Sequence, residues 1–304
     1  MNSRMLPWEL VGAVIGAGLA SGREIASFFS KYGCWSWAAI AVSVIVMGLL
    51  ADARIPSEWQ DGWPERMWKL LLSLLLTATG GTMLAGAGEV AALMLPVHGA
   101  YWLGMAGTLG ISWLLAKQTV NGLAWVSRAL LAVMTVLIAA GLMIPPMQAA
   151  YIANVSVSEA LLRGVTYGGF NAALQRPVVD AHDRLSEREC RRGKITACLV
   201  LALLIMLGNA VLLRHPALLG EPMPFVRLMK ELGMGGYVLG AVSLYLAILS
   251  TLTACLRGLG GPFAAAGIIL AASVGFTGAV ERIYPLLGGG CLLMLLWAKL
   301  RNYR

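Results

Sequence analysis

Two apolar segments of this chain are interrupted by glycines at matching places in its two halves: Gly16-Ala17-Gly18-Leu19-Ala20-Ser21-Gly22 and Thr166-Tyr167-Gly168-Gly169-Phe170-Asn171. Gly16 and Gly168 lie half the length of the chain apart. Backbone at membrane depth must find its hydrogen bonds within its own helix. A break there is tolerated only where the freed N–H and C=O groups face protein, water or a ligand. Paired breaks in corresponding positions of two halves point to a transporter's substrate site.

Composition places those segments in a membrane. Hydrophobic residues make up 59% of the chain and charged residues 12%, a balance that a soluble domain of this length has no use for. Stretches of about 17 to 25 mostly apolar residues occur ten times, over 7–30, 36–51, 68–95, 100–116, 123–144, 157–180, 194–213, 235–256, 261–279 and 284–299. An odd number of spans per half makes the second half enter the membrane in the opposite sense. The predicted fold class is therefore an all-α integral membrane protein, one transmembrane domain over 1–304, with ten helices as 5+5 inverted repeats (about 7–145 and 156–300) and helices 1 and 6 discontinuous.

The formal net charge of +8 is divided unequally between the two sides. With the N-terminus inside, sixteen Lys and Arg fall in the cytoplasmic loops and tails, and five, Lys31, Arg214, Arg227, Lys230 and Arg282, fall outside. This positive-inside bias places both termini in the cytoplasm. It makes the lipid bilayer the partner and reads the basic run Arg184–Lys194 as a topology anchor, with no nucleic acid implied. The five cysteines show no paired or metal-type spacing. The oligomeric state is not set by the sequence.

Two loops stand out. Asp52–Arg66, polar with Trp59 and Trp63, suits a stretch lying on the cytoplasmic surface. Arg214–Gly236, outside, carries Pro216, Pro222 and Pro224 with the apolar-spaced Phe225, Leu228, Met229 and Leu232. A short helix there would cap an outward vestibule, or simply connect two spans.

In the first span, Gly16, Gly18 and Gly22 with Ala17, Ala20 and Ser21 leave the backbone unshielded. A half-helix beginning near Ser21 would turn N–H groups and a positive dipole end toward the midplane, a seat for a carboxylate. The competing reading is tight helix packing, since Gly12-xxx-Gly16 and Gly18-xxx-Gly22 are small-xxx-small patterns. The sixth span repeats the theme with Gly164, Gly168, Gly169 and Pro177. Thr166, Tyr167, Phe170 and Asn171 offer hydroxyls, ring faces and an amide for a small polar ligand. Its alternative is a kinked structural helix.

Ionisable residues within spans are functional candidates by default. Arg23 and Glu24 follow the first break, Glu89 follows Gly86 and Gly88 in the third span, and Arg163 precedes the sixth-span glycines. Glu89 leads as proton carrier, with Glu24 second; structural ion pairs of Arg23 or Arg163 with these carboxylates are the alternative. In the eighth span Ala247, Ser250 and Thr251 share a helix face. Two hydroxyls and a carbonyl there suit a sodium ion, unless the hydroxyls bond back to their own helix. The scattered His98, His182 and His215 form no metal or catalytic pattern, and no GxSxG or phosphate-binding loop appears. His182 with Asp180 and Asp183 reads as a solvated cytoplasmic cluster. No enzyme and no cofactor is expected beyond Na+ or H+ as a coupling ion.

The run Val14-Ile15-Gly16-Ala17-Gly18-Leu19-Ala20-Ser21-Gly22-Arg23-Glu24-Ile25, with Ala85–Glu89 and Tyr167–Asn171, resembles the YkvI-like bacterial membrane proteins. That family is similar to the amino acid–polyamine–organocation superfamily with the LeuT fold. The resemblance implies a substrate site between spans one, three, six and eight, with the backbone around Gly16–Gly18 holding a carboxylate. It also implies that the carbonyls of Gly12 and Ile15, with Ala247, Ser250 and Thr251, match the sodium site of sodium-coupled relatives. The expected function is secondary active transport of a small amino acid or related amine or organic acid across the bacterial inner membrane, driven by sodium or protons. The alternative is a ligand sensor that keeps the transporter fold without carrying flux.

Overall fold

The computed structural model describes residues 6–50, 53, 59, 62–117, 123–146, 156–182, 186–261 and 263–301. Among these, every regular element is helical. The first span is assembled from three pieces, α1 (Leu6–Val14), α2 (Ala17–Ala20) and α3 (Arg23–Phe28), and a 3₁₀ turn over Ser30–Trp35 leads into α4 (Ser36–Leu50). Spans three to five are α5 (Trp63–Met94), α6 (Ala100–Ala116) and α7 (Leu123–Met143). Then come α8 (Val157–Ala181), α9 (Glu187–Arg214), the short α10 (Pro224–Met229) in the outer loop, α11 (Gly233–Leu259) and α12 (Phe263–Ala272). The tenth span joins α13 (Phe276–Gly278), a π turn over Ala279–Ile283 and α14 (Tyr284–Arg301).

Local signals explain several boundaries. Pro64 stands in the first turn of α5, where its missing N–H costs nothing. Ser186 and Glu189 exchange side-chain and backbone hydrogen bonds in a capping box that starts α9. Gly275 takes φ 80°, a conformation open to glycine, and there the chain turns. Residues 276–278, expected in the ninth span, therefore open the tenth.

The packing maps onto itself when each span is exchanged with the one five places along. The contact of α1 with α9 answers to that of α8 with α4, and α1 with α7 answers to α8 with α14. Likewise α5 with α12 answers to α11 with α6, and α5 with α14 to α11 with α7. The pairs α5–α11 and α4–α9 are their own counterparts. Two five-span repeats of opposite orientation produce this pattern. Five segments, including the bulk of α4, α5, α9 and α11, are each long and apolar enough to cross a bilayer alone. The charged α8 and the shorter α6 and α12 are held in place by packing.

One element departs from expectation. The first span is discontinuous, but the sixth is a single unbroken helix, α8, through Gly168 and Gly169. Its glycines serve contact. A methyl group at Gly168 would lie 2.6 Å from the Ser43 carbonyl oxygen of α4, one at Gly169 would lie 2.8 Å from the Gly288 oxygen of α14, and Gly164 sits directly under Ala39. Small residues let these backbones approach closely, which is how helices associate in lipid.

The loop Arg214–Gly236 does form a short helix. Phe225, Leu228 and Met229 of α10 are buried, while Leu232 stays exposed. The Phe225 amide donates to the Ser21 carbonyl at 2.9 Å, and its ring packs on Gly22 and Gly208. Of the stretch Asp52–Arg66, residues 52, 54–58, 60 and 61 lie outside the described residues. Trp59 and Trp63 pack on Trp297, with ring centroids 4.3 and 5.3 Å away.

Candidate functional site

The break in the first span is at Ile15–Gly16. The Ile15 amide still donates to Val11 at 2.9 Å, but the Gly16 amide turns back to Val14 at 2.8 Å and Gly16 is extended, with φ −98° and ψ −175°. The freed Ala17 amide donates to Met83 Sδ of α5 at 3.4 Å. A methyl group at Gly16 would meet Thr251 Oγ1 of α11 at 3.5 Å and Met83 Cε at 3.7 Å, ordinary contact distances. The break therefore faces α5 and α11, and both supply a polar or polarizable group to it.

A second interruption follows at Ser21–Gly22, where Gly22 has φ 82°. Ser21 Oγ donates to the Gly18 carbonyl at 3.1 Å and accepts the Arg23 amide at 3.2 Å. The expected half-helix from Ser21, with N–H groups waiting for a ligand carboxylate, is not what forms. The helix after the break is the one-turn α2, its leading amide is engaged by Met83, and α3 begins only at Arg23. The carboxyl group at the break is the chain's own. Glu24 folds back so that its side chain fills the volume a side chain at Gly18 would need.

Glu24 is 3% exposed and accepts a hydrogen bond at 3.1 Å from the hydroxyl of Tyr167 on α8. Tyr167 is wedged between Phe28 and Phe29, at centroid distances of 4.9 and 5.0 Å. One turn on, Asn171 Nδ2 donates to the Tyr167 carbonyl at 3.0 Å, and its Oδ1 is buried with no partner. Phe170 stacks on Tyr284 at 4.4 Å, and Tyr284 stands against Thr79 and Thr82 of α5. Thr79 and Tyr284 are likewise buried, their hydroxyls side by side in this cluster. Unsatisfied polar atoms in a membrane interior are costly, so this cluster marks where a ligand or water would be welcome.

The structure separates the ionisable candidates. Arg23 turns outward, donating to the carbonyls of Leu219 at 2.9 Å and Glu221 at 3.1 Å and pairing with Glu281. Arg163 donates to the Glu281 carbonyl at 3.1 Å. Neither neutralises Glu24 or Glu89, so the expected ion pairs are replaced by an outer clamp on the π turn. Glu89 lies half-buried beside Tyr101 on α6, about 9 Å along the helix axis from Met83. Gly86 packs on Phe276 and Ile248. The third-span residues that reach the break are Met83 and its neighbours.

The sodium set is partly assembled. Thr251 faces Gly16, Gly12 lies on α1 and Ile15 stands at the break itself. Ser250 Oγ instead donates to the Ala247 carbonyl at 3.0 Å, so two of the expected ligands engage each other. Thr166 Oγ1 donates to the Arg163 carbonyl at 3.0 Å in the same manner. Among the described residues no group of three His, Cys, Asp or Glu side chains gathers for a metal.

At its N-terminal end α1 is fastened to the C-terminal end of α8. His182 is buried, contrary to the solvated cluster expected: its Nδ1 lies 2.9 Å from the Val178 carbonyl and its Nε2 3.5 Å from Glu9. Asp180 pairs with Arg176, and Asp183 lies outside the described residues. Gln175 donates to the Leu10 carbonyl at 3.4 Å.

Sequence reasoning missed Met83, Thr79 and Tyr284. Thr79, Thr82, Met83 and Gly86 sit at i, i+3, i+4 and i+7, one face of the third span, and that spacing was the available signal. Tyr284 carried none.

The fold and the broken first helix define a polytopic membrane protein built from two five-span repeats. No family model matches the chain. It is similar to an uncharacterized membrane protein, YkvI, of Bacillus subtilis (strain 168), at 26% identity over 225 residues, covering 67% of this chain and 64% of that protein, less than two thirds of the relative's length. Among solved structures it is similar to a mutant of the Eremococcus coleocola manganese transporter, with TM-score 0.60 and 14% identity over 97% of this chain and 77% of the other. The same transporter in complex with an aromatic bis-isothiourea substituted compound gives TM-score 0.54 and 15% identity, over 98% and 70%. At these identities the likeness establishes the fold.

Proposed function

We propose that this chain is a secondary transporter of a small amino acid or related amine or organic acid, working by alternating access in the bacterial inner membrane with both termini cytoplasmic and driven by a sodium or proton gradient. The observation that carries the reading is the interruption of the first span at Ile15–Gly16 inside the bundle, faced by Met83 and Thr251 and bordered by Glu24 and Tyr167. Irregular backbone at that depth is sustained where it lines a binding site. The contacts on either side of the break support alternation. Arg23 with Leu219, Glu221 and Glu281 closes the outer side, and Glu9 and Leu10 with His182 and Gln175 close the inner. Kinship with YkvI belongs to the same reading.

The test is counterflow. Purified full-length protein in proteoliposomes is loaded with glycine, L-alanine, putrescine or lactate and offered the same compound labelled. Exchange of at least one supports transport. A compound that shifts the melting temperature of the protein in detergent but never exchanges would turn the reading into that of a sensor.

A further inference from the structure

We propose that Glu24 carries the coupling proton. The inference rests on the transporter reading above and names the ion and its seat within it. A carboxylate in apolar surroundings has to be matched by positive charge. Among the described residues no Lys, Arg or His pairs with Glu24. Its neighbour Arg23 is engaged by Leu219, Glu221 and Glu281. The groups that face Glu24 from the elements packed on α3 are Tyr167 from α8, with Tyr284 of α14 behind it. The uncharged Gly208 and Asn209 stand on the α9 side. On the outer side Lys31, Arg163, Glu159 and Glu281 act on one another. The matching charge therefore visits.

Geometry decides which visitor fits. The Glu24 side chain lies hard against Gly18, in the space where even a methyl group could not stand. A metal cation needs several oxygen ligands and would have to lift the carboxyl off the backbone. A proton needs one lone pair and no added volume.

The position also links the proton to movement. Glu24 rides on α3, which is joined to α2 through Gly22 in its left-handed conformation, while its hydrogen-bond donor Tyr167 stands on the unbroken α8. Any displacement of the outer half of the first span against α8 stretches the Tyr167 bond and draws the carboxyl from Gly18. The proton's surroundings thus differ between the two conformations, which is what coupling requires.

Infrared spectroscopy of the full-length protein in lipid vesicles, titrated from acid to alkaline pH, reads protonated carboxyl groups directly. A buried carboxylic-acid band should vanish in Glu24→Gln, survive in Glu89→Gln, and shift in Tyr167→Phe and Glu24→Asp, the latter two serving as folded controls. A band unchanged in Glu24→Gln overturns the assignment. Proteoliposomes enclosing a pH-sensitive dye are then offered glycine, putrescine or lactate. Wild type should move protons during net uptake of the probe it exchanges, and Glu24→Gln should move none. Exchange in wild type together with net uptake that moves no protons overturns the coupling role and leaves the transporter reading standing. A Glu24-dependent band without exchange of any probe counts against transport and supports the proton site.

Discussion

The amide of Ala17 donates to the thioether of Met83 across 3.4 Å, so the first N–H released by the broken helix is held by a sulfur on a neighbouring span. Sulfur is a weak acceptor and a polarizable, adaptable neighbour, suited to a site that must give up the bond when a ligand arrives. Met83→Leu keeps most of the volume and should cost less than about 1.5 kcal/mol. Met83→Ala opens a cavity at a position 1% exposed and should cost about 2–5 kcal/mol. Thermal unfolding in detergent orders the two. Equal losses would mean that the sulfur itself, rather than its bulk, holds the break.

The three glycines of the two motifs should respond differently to alanine. Gly16→Ala meets Thr251 and Met83 at 3.5 to 3.7 Å and should fold normally. Gly18→Ala drives its methyl into Glu24, so it should fold but lose the Glu24–Tyr167 arrangement and with it solute exchange. Gly168→Ala, pressed to 2.6 Å from the Ser43 oxygen, forces backbone apart and should lower the yield of monodisperse protein. Size-exclusion profiles and counterflow separate the three. A well-folded Gly168→Ala with lost exchange would return the sixth-span glycines to a direct role in binding.

Arg23 serves three acceptors at once, whereas Glu281 is one of three and its side chain is 44% exposed. Arg23→Ala should therefore loosen the outer loop by about 1–3 kcal/mol, the scale for leaving buried acceptors unmatched. Glu281→Gln should do less, because solvent discounts its share of the ion pair. Amide hydrogen exchange over residues 216–232 reports the difference. Faster exchange in Glu281→Gln than in Arg23→Ala would contradict the clamp.

His215, just past the end of α9, is buried, with the backbone of Gly141 beside its ring. Burial holds its pKa below the ordinary value, against the opposing backbone hydrogen bond of Gly141 and with a smaller contribution from the adjacent positive Arg214. A base whose folded pKa is depressed is protonated more readily by the unfolded state. Its contribution to stability is thus complete above the unfolded value of about 6.5 and is lost as pH falls through that value toward the folded one. The melting temperature should drop between neutral pH and mildly acid pH in wild type, and less steeply in His215→Leu. Identical slopes in both would clear His215 of the effect.

What the sequence determined by itself follows from rules that act locally or on averages. Apolar stretches long enough to cross hydrocarbon gave ten spans, because each span must bury its own backbone polar groups whatever its neighbours are. The break at Gly16 was legible because three glycines and small residues leave nothing to enforce a helix there. The outer helix was legible from prolines followed by apolar spacing. Tertiary structure decided what the same residue types do when different partners stand opposite. Gly168 and Gly169 share the composition of a break, yet α4 and α14 press on them from two sides and the helix stays whole. Glu24 and Glu89 are equally costly in a membrane when read along the chain. One folds onto Gly18 under Tyr167 and the other lies beside Tyr101 away from the break, a distinction set by packing between spans far apart in sequence. Arg23, adjacent to Glu24 in the chain, reaches Glu281 instead, because consecutive residues on a helix point in different directions.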